Sequence, residues 1–265
     1  MQPQKVPVTR VLVLIFLAGL SLPNMVLAAA HNRGPKGPID DAIVSDIRTA
    51  DEKSRDRNRQ PKKTLEFFGL KPDMKVVEIL PGGGWYTKIL VPVLRDNGEY
   101  YAAGGLGKAL GFGGILGGVR KLEGFEDINV IDLSPSMVKT DRFGYLDMGP
   151  VDLGITDVDL VLTFRNLHNL APSGRMELYK AVYAALKDGG RFGVIDHTRR
   201  HMEPMTDENW RRLDPVQMVK EITAAGFRFA DYSNLHRKPD DELRYEVGRK
   251  SVTGNSDRFT LLFEK

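Results

Sequence analysis

Residues Val76-Val77-Glu78-Ile79-Leu80-Pro81-Gly82-Gly83-Gly84-Trp85-Tyr86 place an apolar run with one acid before a turn of three glycines and a helix start. That order suits a nucleotide-like ligand. Glycines let backbone approach a ligand with no Cβ in the way. The first turn of a helix offers free N–H groups, and a carboxylate at a strand end can hold ribose hydroxyls. Two later stretches carry groups that move protons. Arg165-Asn166-Leu167-His168-Asn169 follows the apolar run 157–164, and Asp196-His197 closes the run 191–196. Histidine titrates near neutrality, so His168 or His197 can act as a general base, and each can equally be structural. Asn166 has two readings, a substrate contact or a turn cap. Arg165 also has two, an anchor for a carboxylate or a surface ion pair.

The elements needed to position these residues can be read from the pattern. A strand is expected at 75–80, a helix at 85–94 and a second strand at 99–103. A buried strand follows at 157–164. A helix then carries Met176, Tyr179, Val182, Tyr183 and Leu186 near the 3.6-residue period, and Asp188-Gly189-Gly190 stops it. Strands are expected again at 191–196, 227–232 and 257–264. Asp214-Pro215 opens a helix between the first two of these, cap then first-turn proline. Strand–helix alternation with closing strands predicts an α/β fold: a mostly parallel sheet with helices on both faces. In such sheets ligands bind at the carboxyl ends of the strands, where Glu78, Arg165 to Asn169 and His197 all fall.

Other segments are less directive. A helix is expected from Asp40 or Asp41 through Ala50. Residues 51–60 are wholly polar, with Arg55, Arg57 and Arg59 alternating with Asp56 and Asn58. They read as a solvated helix face or as a cover over the cleft. Eight glycines among residues 104–118 read as a mobile lid or a loose insertion. Trp85 and Tyr86 read as packing over a ligand or as sheet-cover aromatics. His197 and His201 stand four apart with Glu203 nearby, but Thr198-Arg199-Arg200 puts two cations between them, so no metal is expected.

Composition narrows the class. The 265-residue chain is 42% apolar and 28% charged, as in a soluble globule. Lys5, Arg10, the apolar run 11–20 and the small residues Ala28-Ala29-Ala30 form a secretory signal pattern. The run is short for a membrane span. Three parts follow: a signal peptide at 1–30, a Gly/Pro linker and cover helix at 31–60, and the main domain at 61–265. Formal charge is +3, and residues 1–30 hold two bases and no acid, which leaves about +1 and argues against a nucleic-acid partner. With no cysteine there is neither a disulfide nor a lipid-anchored N-terminus. The expected location is the periplasm, without stable membrane insertion after cleavage; the alternative is an uncleaved inner-membrane anchor. Oligomeric state is open.

The ordered set resembles the class I, Rossmann-like S-adenosylmethionine-dependent methyltransferases, closest to a branch of exported bacterial predicted methyltransferases. The glycine turn with Thr87, the run Asp159 to Asn169, the run Ala185 to His197 and the terminal Asp257 to Phe263 carry the resemblance, across residues 40–265. It implies a seven-stranded sheet with an antiparallel last strand. It implies S-adenosylmethionine as cofactor, with Glu78, Pro81, Gly82, Gly83, Gly84, Tyr86, Asp147 and Arg165 in contact with it. His168, His197 and Asn166 would then serve catalysis on a small-molecule methyl acceptor. Asp147 matches the acid that holds the adenine amino group in the family. Two positions depart from the family pattern. Leu80 stands where acid-x-Gly-x-Gly-x-Gly has its first glycine, and the second strand ends without a ribose-binding acid. Asp132 would supply that acid only if the glycine-rich stretch were an insertion before the true second strand. The departures support an alternative, a non-catalytic Rossmann-like ligand-binding protein.

Overall fold

The computed structural model describes residues 1, 2, 4 and 37–265. The expected leader, and the linker as far as residue 36, lie outside the described residues. Four short helices come first: α1 (Pro38–Val44), α2 (Ala50–Ser54), α3 (Asp56–Arg59) and α4 (Pro61–Phe67). The expected single helix through Ala50 stops at Val44 because a second start competes with it. Thr49 accepts a hydrogen bond from the Glu52 N–H at 3.2 Å, and Glu52 accepts one from the Thr49 N–H at 2.8 Å. This reciprocal cap begins α2 afresh.

The sheet is built next. β1 (Lys75–Ile79) leads through the glycine turn into α5 (Thr87–Leu94), then β2 (Glu99–Gly104), the short α6 (Leu106–Leu110) and β3 (Asn129–Asp132). A small antiparallel pair follows, β4 (Met137–Lys139) with β5 (Leu146–Met148). The chain continues through β6 (Val158–Phe164), α7 (Pro172–Ala185), β7 (Leu186–His197), α8 (Pro215–Ala224), β8 (Arg228–Ser233) and β9 (Arg258–Glu264). Seven strands lie in the order β3-β2-β1-β6-β7-β9-β8. Those from β3 to β7 are parallel, and β9 runs antiparallel between β7 and β8. The expected architecture is therefore found.

Side chains alternate between the sheet faces with the two-residue strand period. Val77 and Ile79 enter the core beneath α7 and α8, with Leu178, Val182 and Ile222. Val76, Leu160 and Leu162 enter the other core with Leu90 of α5, Leu65 of α4 and Ala42 of α1. Glu78 shares the second face and is directed at α5. Chain order reverses at β1: β2 lies on one side and β6 on the other. The crevice at the carboxyl ends of β1 and β6 is the switch point where such sheets bind ligands.

Two sequence expectations need correction. Asp132 ends the third strand of the sheet edge, because β2 itself pairs directly with β1. The glycine-rich stretch is thus not an insertion before the second strand, and Asp132 is not that strand's acid. It is bound instead to Lys108, which holds its carboxyl down at about 2. The glycine-rich stretch contains α6, and Leu116 and Val119 beside it are buried.

Candidate functional site

Leu80, the departure from the glycine pattern, takes the conformation a glycine would. Its φ is +52°, and Gly82 and Gly84 follow at +57° and +76°. Leu80 is held there by its neighbours. Its N–H donates to Ala103 O at 2.7 Å, and its carbonyl accepts from Asn166 Nδ2 at 2.6 Å. The same Asn166 nitrogen reaches Phe164 O at 3.0 Å, so one amide ties the ends of β1 and β6 together across the switch point. The three glycines are not equivalent. A Cβ on Gly82 or Gly83 would meet no atom within 4 Å, whereas one on Gly84 would lie 2.5 Å from Val119 Cγ2. Gly82 and Gly83 face open space; Gly84 serves the packing of the glycine-rich segment against the turn.

Two cavities meet at this turn and share Pro81, Gly82, Asn166 and Arg211. One, of about 380 Å³, lies beyond β2 and is walled by Leu106, Leu110, Phe112, Ile115 and Leu116 of the glycine-rich segment. The other, of about 440 Å³, is polar and lined by Glu78, Tyr86, Arg165, His168, His197 and residues of the N-terminal helices. Nine of the eleven sequence-predicted site residues line the polar cavity: Glu78, Pro81, Gly82, Gly83, Tyr86, Arg165, Asn166, His168 and His197. Gly84 and Asp147 do not. Asp147 belongs to the β4–β5 pair, and its carboxylate accepts from Ser173 Oγ at the start of α7 and from the Met148 N–H. It therefore stands outside the lining of both cavities.

Glu78 is buried, and its Oε2 accepts from Thr87 Oγ1 at 2.7 Å and Tyr100 OH at 2.6 Å. These bonds brace β1 against α5 and β2. Burial raises its carboxyl to about 7, opposed by the two hydroxyls and by Arg59. Tyr86 stacks on Phe164 with centroids 3.6 Å apart and planes 11° apart, and its hydroxyl donates to Arg59 O. Trp85 is held between two guanidinium groups, Arg48 at 4.6 Å and Arg59 at 4.3 Å from its ring. Both aromatics thus act as packing and as cavity wall.

The histidines meet through a residue that the sequence reading left out of the site, Asp196. Its Oδ1 lies 2.6 Å from His168 Nδ1, and its two oxygens also accept the N–H groups of His197 and His168. An acid with these donors fixes the His168 proton on Nδ1 and leaves Nε2 as a lone pair. His197 Nδ1 bonds Ser256 Oγ at 2.9 Å. The two rings lie 5.5 Å apart. Among the described residues neither Nε2 has a hydrogen-bond partner, and neither is sealed from the cavity. Burial, then the neighbouring His168 and three arginines, push His197 well below its ordinary value, so its ring is neutral at pH 7. His168, Asp196 and His197 offer ligand atoms within 4.8 Å of one another, but Arg165, Arg258 and Arg212 act on the same ring and oppose a metal cation. His201, by contrast, pairs with Asp214 at 2.8 Å, away from this cluster.

The polar segment 51–60 is a cover, the second of its two readings: Glu52, Arg55 and Arg59 line the cavity. Arg55, Arg59, Arg211 and Asp196 are the site residues that sequence reasoning missed. Asp196 had a signal, its place beside His197 at a strand end. The arginines had only their alternation with polar neighbours.

No protein-family profile and no curated protein sequence matches the chain. Solved structures do. A SAM-dependent methyltransferase from Aquifex aeolicus superposes with a TM-score of 0.55 at 17% identity, covering 87% of this chain and 99% of that one. The [4+2]-cyclase SpnF superposes at 0.52 and 14% identity, covering 78% and 80%. The fold is the Rossmann-like one of S-adenosylmethionine-dependent methyltransferases. A cyclase among these structures means the reaction must be argued from the site.

Proposed function

We propose that the chain is an S-adenosylmethionine-dependent methyltransferase acting on a small molecule. The carrying observation is the junction at Pro81, Gly82 and Asn166 between an apolar cavity on the β2 side and a polar cavity holding the His168–Asp196 pair. The residues fit the cofactor on the turn side. Gly82 and Gly83 leave a cradle that any Cβ would enter, and Leu106, Phe112 and Ile115 offer apolar surface to an adenine ring. When bound, S-adenosylmethionine supplies an electrophilic methyl group on a sulfonium. The protein's own part is positioning and proton removal. His168 Nε2 takes the proton of the acceptor hydroxyl or amine, while Asp196 orients the ring and stabilises the imidazolium formed. Neutral His197 donates or accepts a hydrogen bond beside it. Asn166 Oδ1, which has no partner among the described residues, is free to receive an acceptor N–H or O–H.

The test is calorimetric titration of the intact chain with S-adenosylmethionine and S-adenosylhomocysteine, repeated on Gly82→Val. Binding of both, lost in the variant, supports the reading. No binding by a cooperatively melting protein sinks it. One observation favours a second reading, a non-catalytic ligand-binding protein. β2 ends in Gly104-Gly105 with no acid, and the nearest carboxylate, Asp132, is committed to Lys108. We also propose periplasmic location with residues 1–30 removed; Edman sequencing of protein from the native host, starting at residue 29 or 31, would bear it out. Among the described residues no helix is long and apolar enough to cross a membrane.

A further inference from the structure

We propose that the polar cavity is an oxyanion site, and that the methyl acceptor carries a phosphate or carboxylate held by Arg55, Arg59 and Arg165. The words "methyl acceptor" rest on the function proposed above; the oxyanion site stands on its own observations. All three arginines line the cavity, and none has an ion-pair partner among the described residues. Three other buried arginines are paired, Arg48 with Asp56 at 2.5 Å, Arg175 with Glu221 at 2.8 Å and Arg212 with Asp241 at 2.9 Å, whereas buried Arg199 and Arg258 are not. Arg59 is 6% exposed and its Nε has no hydrogen-bond partner. Its guanidinium plane is fixed against Trp85 at 4.3 Å, so its orientation is preformed. Arg258 stands behind, with an equally orphaned Nε.

The acids of the cavity are already committed. Glu52 holds Lys88 at 2.8 Å. Glu78 receives two hydroxyls and is half-protonated near neutrality. Asp196 receives His168 and two backbone N–H groups. Burial, together with mutual repulsion that includes Arg55, depresses the Arg59, Arg165 and Arg258 guanidiniums below their ordinary value. Buried like charges with no direct ion-pair partner are unfavourable, and Asp196 offsets this only in part at Arg165 and Arg258. A bound oxyanion relieves this through charge-assisted hydrogen bonds, for which the planar guanidinium is well suited. A sulfonium cofactor would add one more positive charge, so an anionic acceptor is the partner that such a cleft admits most readily.

The cofactor's own carboxylate is the other source of an oxyanion, and the experiment separates the two. Trp85 reports on Arg59, so the intact chain is prepared with Trp210→Phe, leaving one tryptophan. Pyrophosphate and citrate are titrated at constant ionic strength set with NaCl, and Trp85 fluorescence is followed. A saturable change is expected. Arg59→Gln and Arg165→Gln should each weaken it roughly tenfold to a hundredfold. Arg55→Gln, at an exposed position that folding does not need, should weaken it by about tenfold, and Arg59→Lys should retain part of the affinity. Arg120→Gln, exposed and outside both cavities, should change nothing. No saturable response, or an equal loss with Arg120→Gln, overturns the proposal. S-adenosylhomocysteine is then titrated with and without saturating pyrophosphate. Simultaneous binding supports an acceptor site. Competition, with S-adenosylhomocysteine affinity lost in Arg59→Gln, gives the arginines to the cofactor and overturns it. Pyrophosphate binding with no S-adenosylhomocysteine binding supports the oxyanion site and removes the methyltransferase reading alone.

Discussion

Glu78→Gln should stabilise the protein above pH 7 and leave it unchanged near pH 4.5. The carboxyl is buried between β1, α5 and β2 at the wall of the polar cavity, and burial lifts it from an ordinary 4.5 to about 7. The folded state therefore binds this proton more tightly than the unfolded chain does. Its contribution to stability is full below pH 4.5, declines as pH rises toward 7, and is gone above that. At ~1.4 kcal/mol per pKa unit, the interval corresponds to about 3 kcal/mol. Glutamine keeps an oxygen able to accept from Thr87 and Tyr100 and has no proton to lose. The difference in unfolding free energy between variant and parent should be near zero at pH 4.5 and reach about 3 kcal/mol in favour of Gln at pH 8. Urea unfolding of both proteins at half-unit steps from pH 4.5 to 8.5 measures it, and taking the difference cancels the other titrating groups. Parallel curves, or a less stable variant at pH 8, would mean that the carboxylate is ionised and held by Arg59. That would refute the burial argument.

Gly82→Val should abolish S-adenosylhomocysteine binding, because the side chain enters the open cradle from a left-handed backbone that β-branched residues resist; unchanged calorimetric affinity in a folded variant rejects the placement. Gly84→Ala should instead destabilise the fold by roughly 1–3 kcal/mol, since its Cβ would lie 2.5 Å from Val119 Cγ2, visible in urea midpoints. His168→Ala should lower turnover by roughly 10²–10⁴-fold with S-adenosylhomocysteine affinity unchanged, and equal loss of both would assign the ring a structural role. Asp241→Ala should cost about 3–5 kcal/mol by stranding buried Arg212, whose two guanidinium nitrogens each meet that carboxylate at 2.9 Å; denaturant unfolding reads the loss.

The parts of the site legible in the sequence are those fixed by local pattern. An apolar run, an acid and three glycines define β1, its turn and the start of α5 within eleven residues. His168 and His197 follow from parallel strands, which deliver their carboxyl ends to one edge of a sheet. What local pattern cannot carry is the pairing of His168 with Asp196, 28 residues away, because it depends on β6 and β7 being neighbours in register. Nor does it distinguish a solvated polar helix from a cover. Residues 51–60 have the same composition either way, and only the burial of Arg59 against Trp85 decides. Leu80 departs from the glycine pattern of the turn. Its left-handed φ is possible because Ala103 O and Asn166 Nδ2 hold the peptide units on either side of it, and that compensation comes from β2 and β6 rather than from β1.

Several unfavourable features converge on the switch point. Leu80 and Arg165 both have positive φ, at +52° and +61°, in a region that side chains with a Cβ normally avoid. Beside them stand a carboxyl raised by burial, a histidine pushed neutral and three arginines without an ion-pair partner among the described residues. Each carries a cost in the folded state, even where it also makes contacts, as Glu78 does with Thr87 and Tyr100. An apolar residue at 78 would pack the same space, and paired or neutral residues at 59 and 165 would remove the repulsion. Strain and desolvation gathered at one crevice are what a binding or catalytic site requires of a scaffold. The charge balance adds the direction: the partner we propose for this crevice is negative.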